Sequence, residues 1–348
     1  MPSSTPYHQP VRVGLAGVSG YAGVEILRLI IGHPGLELAA LAGGSSVGAT
    51  VDSLWGGLAG VSSLPVVGSM DDLGPGLDAI FLALPHGVSA PWLHAHRELL
   101  DNGLRIVDLG ADFRLRDPAQ YATVYGKAHV APDLLAGAVY GLPEKHRAAI
   151  ATSQLVANPG CYPTATALAA MPVVDAGLAQ WVVADCVSGV SGAGRKPGIR
   201  NLYCEVQESV VGYGLGGTHR HTPEIEQTLG VPVTFAPHLV PMVRGMLATV
   251  HMGVGEGVTL DQVQALFAAR YAAEPAVVLR SEPPATGDVR GTGLAHVYVT
   301  LDAQRRVCTA QCAIDNLGKG AAAQAVQNLN VMLGLPEMTG VPVLPLLP

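Results

Sequence analysis

Positive charge is in short supply in this chain: 20 lysines and arginines stand against 27 aspartates and glutamates, a formal net charge of −7. That shortage excludes the basic face a nucleic-acid partner needs. It also means that an anionic substrate must be held by a few locally placed arginines, because no global field draws it in. Cysteine is scarce as well. Five in 348 residues make no disulfide framework, and the odd count points to reduced thiols and a cytoplasmic address. Long uncharged apolar runs are missing, since charges such as Glu25, Arg28 and Glu37 interrupt them, so no membrane span is expected. The opening MPSSTPYHQP holds no apolar signal core and reads as a loose tail.

Several catalytic signatures are absent too. The Gly-rich SGVSGAGRK, residues 188–196, lacks the spacing of a phosphate loop, and neither Gly-rich stretch of the chain fits the nucleophile elbow of a serine hydrolase. The pair His219 and His221 is read as lacking a cysteine or carboxylate at ligand spacing, and no metal is expected there.

What the chain does have is alternation. VRVGLAG, LELAALAGG, DAIFLALPHG and LRIVDLGADF are continuous apolar runs of the kind buried parallel strands show, with GVEILRLIIGH and SAPWLHAHRELL as helices between them. From Trp181 onward the strands WVVADCVSG, VPVTFAPHLV, RGMLATVHMGV, LAHVYVTLD and RRVCTAQCAID follow with few helices between. Thr259 and Gln262 form a capping box before one of those helices. The expected fold is therefore α/β: an N-terminal doubly wound, Rossmann-type parallel sheet, then an α+β domain with a mixed or antiparallel sheet. The expected domains are 1–155, 156–315, and a C-terminal helical segment, 316–348, that packs back on the first.

GLAGVSGYAG follows the first strand and opens the first helix, the context that makes a glycine loop a dinucleotide signal. Gly17, Gly20 and Gly23 let backbone approach a pyrophosphate whose charge rests on the helix N-terminus. The second strand ends in Gly43-Gly44-Ser45-Ser46, without the acid that would take a ribose 2′-hydroxyl. Ser45 and Ser46 can donate to a 2′-phosphate, which favours NADP. The loop carrying Ser191 and Gly192, after a strand, is expected to wrap cofactor or substrate.

ANPGCYPTATALAA starts at Ala157 and places Cys161 just after a turn, at the mouth of a helix that Pro163 can begin. A thiol there lies near unpaired N–H groups and the positive end of a dipole, a setting that favours the thiolate. Position alone leaves a buried small hydrophobe as the competing reading. Cys308 and Cys312 share a strand face and read as core, Cys186 lies in an apolar strand, and Cys204 reads as packed or half exposed. In GTHRHTPEIEQ, Thr222 is the expected N-cap with Pro223 at the first helical position. His219 and His221 then fall in an extended segment and face opposite sides, so that one enters a site.

Taken together, GVSGYAG, LALPHG, DLGADFRL, NPGCYPTA, SGVSGAGRK, GTHRHTPEIEQ, RGMLAT and AIDNLGKGAA resemble the N-acetyl-gamma-glutamyl-phosphate reductases, a branch of the aspartate-semialdehyde dehydrogenase superfamily. The likeness runs from about Val11 to the end. It implies NADPH-dependent reduction of an acyl phosphate to an aldehyde in arginine biosynthesis, through a cysteine thioester. Carried over, Cys161 is the nucleophile and His219 the acid/base that also helps keep the thiol ionised. Ser19, Gly20, Tyr21, Ala22 and Gly23 hold the pyrophosphate, Pro85 of LALPHG and the Ser191–Gly192 turn border the cofactor, and Asn316 lies by the nicotinamide. Arg114 and Arg244 are the expected anion partners, with Glu208, Tyr213 and His221 as further substrate contacts and Asn158 beside the oxyanion. The partners implied are the acyl phosphate and inorganic phosphate, with a homodimer or homotetramer as the assembly. Relatives in lysine synthesis reduce a carrier-bound aminoadipyl phosphate and carry a motif like GCNATA, whereas this chain has Gly160-Cys161-Tyr162-Pro163-Thr164. Thr218 departs from the pattern, since many members carry His-Arg-His directly after glycine. The alternatives are a reductase of carrier-bound aminoadipyl phosphate or aspartyl phosphate, or a non-catalytic NADP-binding sensor.

Overall fold

The computed structural model describes residues 9–61 and 64–347. The greater part of the expected N-terminal tail lies outside the described residues.

The chain divides into two compact units, the first running to Ala122 and then over Lys127–Asn158 and Ala322–Val341. It is built on seven parallel strands: β1 (Val11–Ala16), β2 (Leu36–Ala42), β3 (Val67–Gly68), β4 (Ala79–Leu82), β5 (Arg105–Asp108), β6 (Val139–Tyr140) and β7 (Leu155–Ala157). Their spatial order is β3-β2-β1-β4-β5-β7-β6, so the sheet grows outward in both directions from β1 and β4. Alternate side chains feed two cores. Val13, Leu15, Phe81 and Val107 pack with Ile26 and Ile30 of the Tyr21–Ile31 helix and with Val326 and Leu329 of the Ala323–Met332 helix. Ala16, Ile80, Leu82 and Ile106 pack on the other face with Trp92, Leu93 and Leu104. SAPWLHAHRELL, expected as one helix, is two: Ser89–Ala95 and Glu98–Asp101, parted where His96 leaves helical backbone at φ −122° and ψ 37°.

The second unit covers Thr123–Gly126, Pro159–Ala321 and the chain from Pro342. Its strands are β8 (Trp181–Gly189), β9 (Val211–Gly212), β10 (Thr234–Val240), β11 (Met246–Gly253), β12 (Val277–Leu279), β13 (Ala295–Asp302) and β14 (Val307–Ile314), in the order β12-β13-β14-β11-β8-β10-β9. The sheet is mixed: β8 and β10, and β12 and β13, run parallel, and the other pairs antiparallel. The Cys161–Asp175 helix packs across β11, β13 and β14 and against the Thr222–Leu229 and Leu260–Tyr271 helices. Every residue from Tyr162 to Val173 is buried, as an apolar sequence on all sides requires. Pro172 lies inside this helix and offers no N–H to the Leu168 carbonyl. The Tyr271 hydroxyl donates to that carbonyl instead. Thr259 accepts the Gln262 N–H at 3.2 Å and so caps the Leu260–Tyr271 helix.

Candidate active site

In the first unit the chain leaves β1 through Gly17, whose φ is +89°. A Cβ there would lie 2.2 Å from the Ala83 carbonyl oxygen, and one at Gly23 would lie 2.1 Å from the Gly17 carbonyl oxygen. Only glycine closes the turn this tightly. The Tyr21–Ile31 helix then starts from Gly20 in extended backbone, with no acid in its first turn and no side-chain cap. Ser19, Gly20, Tyr21 and Ala22 are partly open, and Trp55 donates its indole N–H to the Val18 carbonyl at 2.8 Å, bracing the loop. Backbone, free helix end and absent acid fit a pyrophosphate. At the end of β2, Ser45 is exposed but Ser46 is buried beneath Gly43, which leaves Ser45 as the open hydroxyl of the expected pair. Pro85 is exposed just past β4.

The DLGADFRL segment closes β5 with two buried acids. Asp112 accepts the Gly87 N–H at 2.6 Å and the Ala90 N–H at 2.9 Å, and pairs with His86 Nδ1 at 2.7 Å. Asp108, fully buried, accepts from the Ser89 hydroxyl at 2.7 Å and the Gly110 N–H at 3.0 Å through Oδ1, while Oδ2 has no hydrogen-bond partner. Burial first, and the neighbouring Asp112, raise its pKa to about 7. Arg114 is buried and donates to the Leu109 carbonyl at 2.8 Å. Asn158 is buried too, and its Oδ1 accepts from Asn328 at 3.0 Å. Both therefore carry structural bonds within the first unit.

The second unit assembles the thiol. Cys161 is the first residue of its 15-residue helix, behind an extended Gly160 and half exposed, whereas Cys186, Cys308 and Cys312 are buried. Burial pushes the Cys186 and Cys308 thiols up to about 12. Cys204 proves exposed rather than packed. The π-helical turn Gly318–Ala322 lies close against Cys161, since a Cβ at Gly320 would lie 2.8 Å from Cys161 Cβ.

The histidine segment differs from its expectation. Residues 215–221 are turns, not extended, and Gly214, Gly216 and Gly217 bend it with φ of +58°, +67° and +77°. His219 and His221 consequently converge, ring centroids 4.9 Å apart, and both meet the Tyr162 ring edge-on, at 5.8 Å and 6.0 Å. Tyr213 and Phe235 complete the enclosure of His219, each at 5.3 Å. The Tyr213 hydroxyl donates to the Tyr162 hydroxyl at 3.1 Å, which donates to the His238 carbonyl at 3.1 Å. His219 Nδ1 accepts the His221 N–H at 3.1 Å. Burial, and secondarily the charge of Arg220, lower the His219 pKa to about 4. His221, not Thr222, precedes the helix, which begins at Thr222 itself.

Asn316, also in the second unit, is buried with its amide engaged at both ends, accepting from the Gly245 N–H at 2.7 Å and donating to Ser191 Oγ at 2.8 Å. Gly192 follows on the same turn, where a Cβ would meet Ser188 Oγ at 2.9 Å. Arg244 is clasped by Asp315, Nε to Oδ2 at 2.9 Å and Nη2 to Oδ1 at 3.1 Å, so it is an oriented cation with a fixed partner. Glu208 is exposed, at φ +60°.

Sequence reasoning missed Glu224. It is buried, accepts the Gly160 N–H at 2.8 Å, and brings Oε2 to 4.0 Å from His221 Nε2. It is a carboxylate three residues past a histidine, and that spacing was the available signal. Asp315 was missed as well: besides Arg244 it accepts the Gly291, Leu317 and Gly318 N–H groups and fixes the turn next to Cys161.

Two family models match the chain: the semialdehyde dehydrogenase NAD binding domain over residues 12–153 and the semialdehyde dehydrogenase dimerisation domain over residues 161–316. Aspartate semialdehyde dehydrogenase II from Vibrio cholerae shares the fold, with a TM-score of 0.70 over 94% of this chain and 99% of its own at 16% identity. Fold and site thus define a semialdehyde dehydrogenase with a nicotinamide-dinucleotide domain. Among curated relatives, the N-acetyl-gamma-glutamyl-phosphate reductase of Halorhodospira halophila is 47% identical over 95% of this chain and 97% of its own. That of Dehalococcoides mccartyi is 43% identical over 97% and 99%. The chain belongs to the N-acetyl-gamma-glutamyl-phosphate reductase family. Among the described residues no helix is long and apolar enough to cross a membrane.

Proposed function

We propose that this chain reduces N-acetyl-gamma-glutamyl phosphate to N-acetyl-L-glutamate 5-semialdehyde, releasing inorganic phosphate, through a thioester on Cys161, in arginine biosynthesis. One observation carries the reading: identities of 47% and 43% to reductases of that name along nearly the whole chain. The helix-mouth thiol supports its chemistry. Cys161 sulfur attacks the acyl carbon, the bond from that carbon to the phosphate oxygen breaks, and the thioester remains. Ser19–Gly23 would hold a nicotinamide dinucleotide, which when bound would supply hydride. Peptide N–H groups at the start of the Cys161 helix and the His219 ring serve the oxygen that gains charge, and the thiolate then departs from the new aldehyde. His221, Tyr213 and the Asp315-held Arg244 are the substrate contacts this unit offers.

The dinucleotide is NADP in this reading, supported by the acid-free end of β2 and the exposed Ser45. A homodimer or homotetramer is supported by the match to a dimerisation domain. Five free cysteines support a reducing, cytoplasmic setting. The test is phosphate-dependent oxidation of N-acetylglutamate semialdehyde, aspartate semialdehyde and aminoadipate semialdehyde with NADP and with NAD. The expected result is turnover of the first with NADP. A preference for either other aldehyde overturns the substrate, and a preference for NAD overturns the cofactor. Dinucleotide binding without turnover of any aldehyde leaves a sensor.

A further inference from the structure

Resting on the reductase reading above, we propose that Tyr213 selects the substrate by its acetamido nitrogen: the hydroxyl oxygen, left with lone pairs alone, accepts the amide N–H. The polarity of that hydroxyl is set by a chain that ends on a carbonyl. Tyr162 donates its one proton to the His238 carbonyl at 3.1 Å, and a carbonyl has none to return. Towards its other neighbour the Tyr162 oxygen is therefore an acceptor, and it takes the Tyr213 proton at 3.1 Å. Tyr213 has then committed its only proton inside the protein. Among the described residues none donates to the Tyr213 oxygen, so its lone pairs remain for a guest.

Each link of the chain is braced. Tyr162 is the buried second residue of the Cys161–Asp175 helix, with its ring 5.2 Å from that of Phe235. Tyr213 follows β9, and its peptide N–H donates to the Pro237 carbonyl at 3.1 Å, one residue before the carbonyl that ends the chain. It is half-buried where Tyr162 is buried. Burial raises both phenol pKa values, and negative charge on Cys161 adds to the rise, so each hydroxyl keeps its proton in the neutral range.

The substrate narrows the guest to one group. N-acetyl-gamma-glutamyl phosphate carries acceptors at its phosphate, its acyl and acetyl oxygens and its α-carboxylate. Its one donor at neutral pH is the amide N–H. A contact made of lone pairs alone matches that group and no other. A hydroxyl free to turn would tolerate an ester oxygen in its place.

The test uses the full chain in phosphate-dependent oxidation. It compares N-acetylglutamate semialdehyde with the analogue in which oxygen replaces the acetamido N–H, an acetate ester. The readout is the ratio of kcat/KM for amide over ester, because damage to the fold lowers both alike. The wild-type protein should favour the amide by about tenfold or more, the scale of one acceptor left unmet. Tyr213→Phe should lower the ratio about tenfold, chiefly through a higher KM for the amide. Tyr162→Phe releases the Tyr213 proton, which can then be given to the ester oxygen, and the ratio should fall there too. A wild-type ratio kept in Tyr213→Phe overturns the contact, and one kept in Tyr162→Phe overturns the fixed polarity. Should Tyr162→Phe fold poorly, Tyr213→Phe decides alone. No turnover of N-acetylglutamate semialdehyde by the wild-type protein overturns the proposed function and this inference with it. Turnover with equal ratios in all three proteins overturns this inference alone.

Discussion

The Tyr21–Ile31 and Cys161–Asp175 helices begin alike. Each starts from a glycine in extended backbone, Gly20 at φ −90° and ψ 164° and Gly160 at φ −67° and ψ 154°, with no acid in its first turn and no side-chain cap on its own chain segment. They differ in what meets the first amides. Gly20 gives its N–H to the Gly17 carbonyl at 3.1 Å, a neutral acceptor within its own loop. Gly160 already gives its N–H to the Glu224 carboxylate. The glycine amide at one helix mouth meets a neutral carbonyl, while that at the other is met by the protein's own anion, beside the nucleophile. The same dipole thus serves binding in one unit and chemistry in the other.

The largest expected effect separates these roles outright. Cys161→Ala should bring phosphate-dependent turnover to background while dinucleotide affinity, read by fluorescence titration, stays at the wild-type value. Turnover near wild type would remove the thioester. Next, Gly17→Ala forces a side chain onto φ +89° and the Ala83 carbonyl, a strain of about 1–3 kcal/mol. Thermal unfolding should come earlier and dinucleotide binding weaken, with the Cys161 alkylation rate unchanged; slowed alkylation would show that the two mouths are not independent. The smallest effect belongs to Glu224. Glu224→Ala leaves the Gly160 N–H without its acceptor, at about 1–3 kcal/mol in chemical denaturation. Glu224→Gln keeps an acceptor and removes a negative charge next to the thiol, so its stability should stay near wild type while Cys161 alkylates faster at neutral pH. Equal alkylation rates in the Glu224→Gln variant and the wild-type protein would make Glu224 a structural cap only.

The mouths themselves were legible in the sequence, because glycine spacing, Pro163 and apolar periodicity are local signals. β8 was read to its observed limits, Trp181–Gly189. β3, β6 and β7 were not read, since two or three residues carry no periodicity. The convergence of His219 and His221 was hidden for another reason: three left-handed glycines turn the segment, and an alternation rule cannot see them. Arg114 and Arg244 looked like free cations because their partners, the Leu109 carbonyl and Asp315, are chosen by the fold.

Asp108 has a consequence that concerns the whole chain. With a pKa of about 7 in the fold against 3.8 for an ordinary aspartate, the acid holds a proton in the folded state that it releases on unfolding. Between roughly those two values the native state binds more protons, so stability falls as pH rises from about 4 to about 7 and regains nothing above. Folding at a pH of about 6 should therefore take up a proton from the buffer. Calorimetric unfolding enthalpies should differ between buffers of high and low ionisation heat, and Asp108→Asn should shrink that difference. Buffer-independent enthalpies in both proteins would mean that Asp108 is ionised in the core.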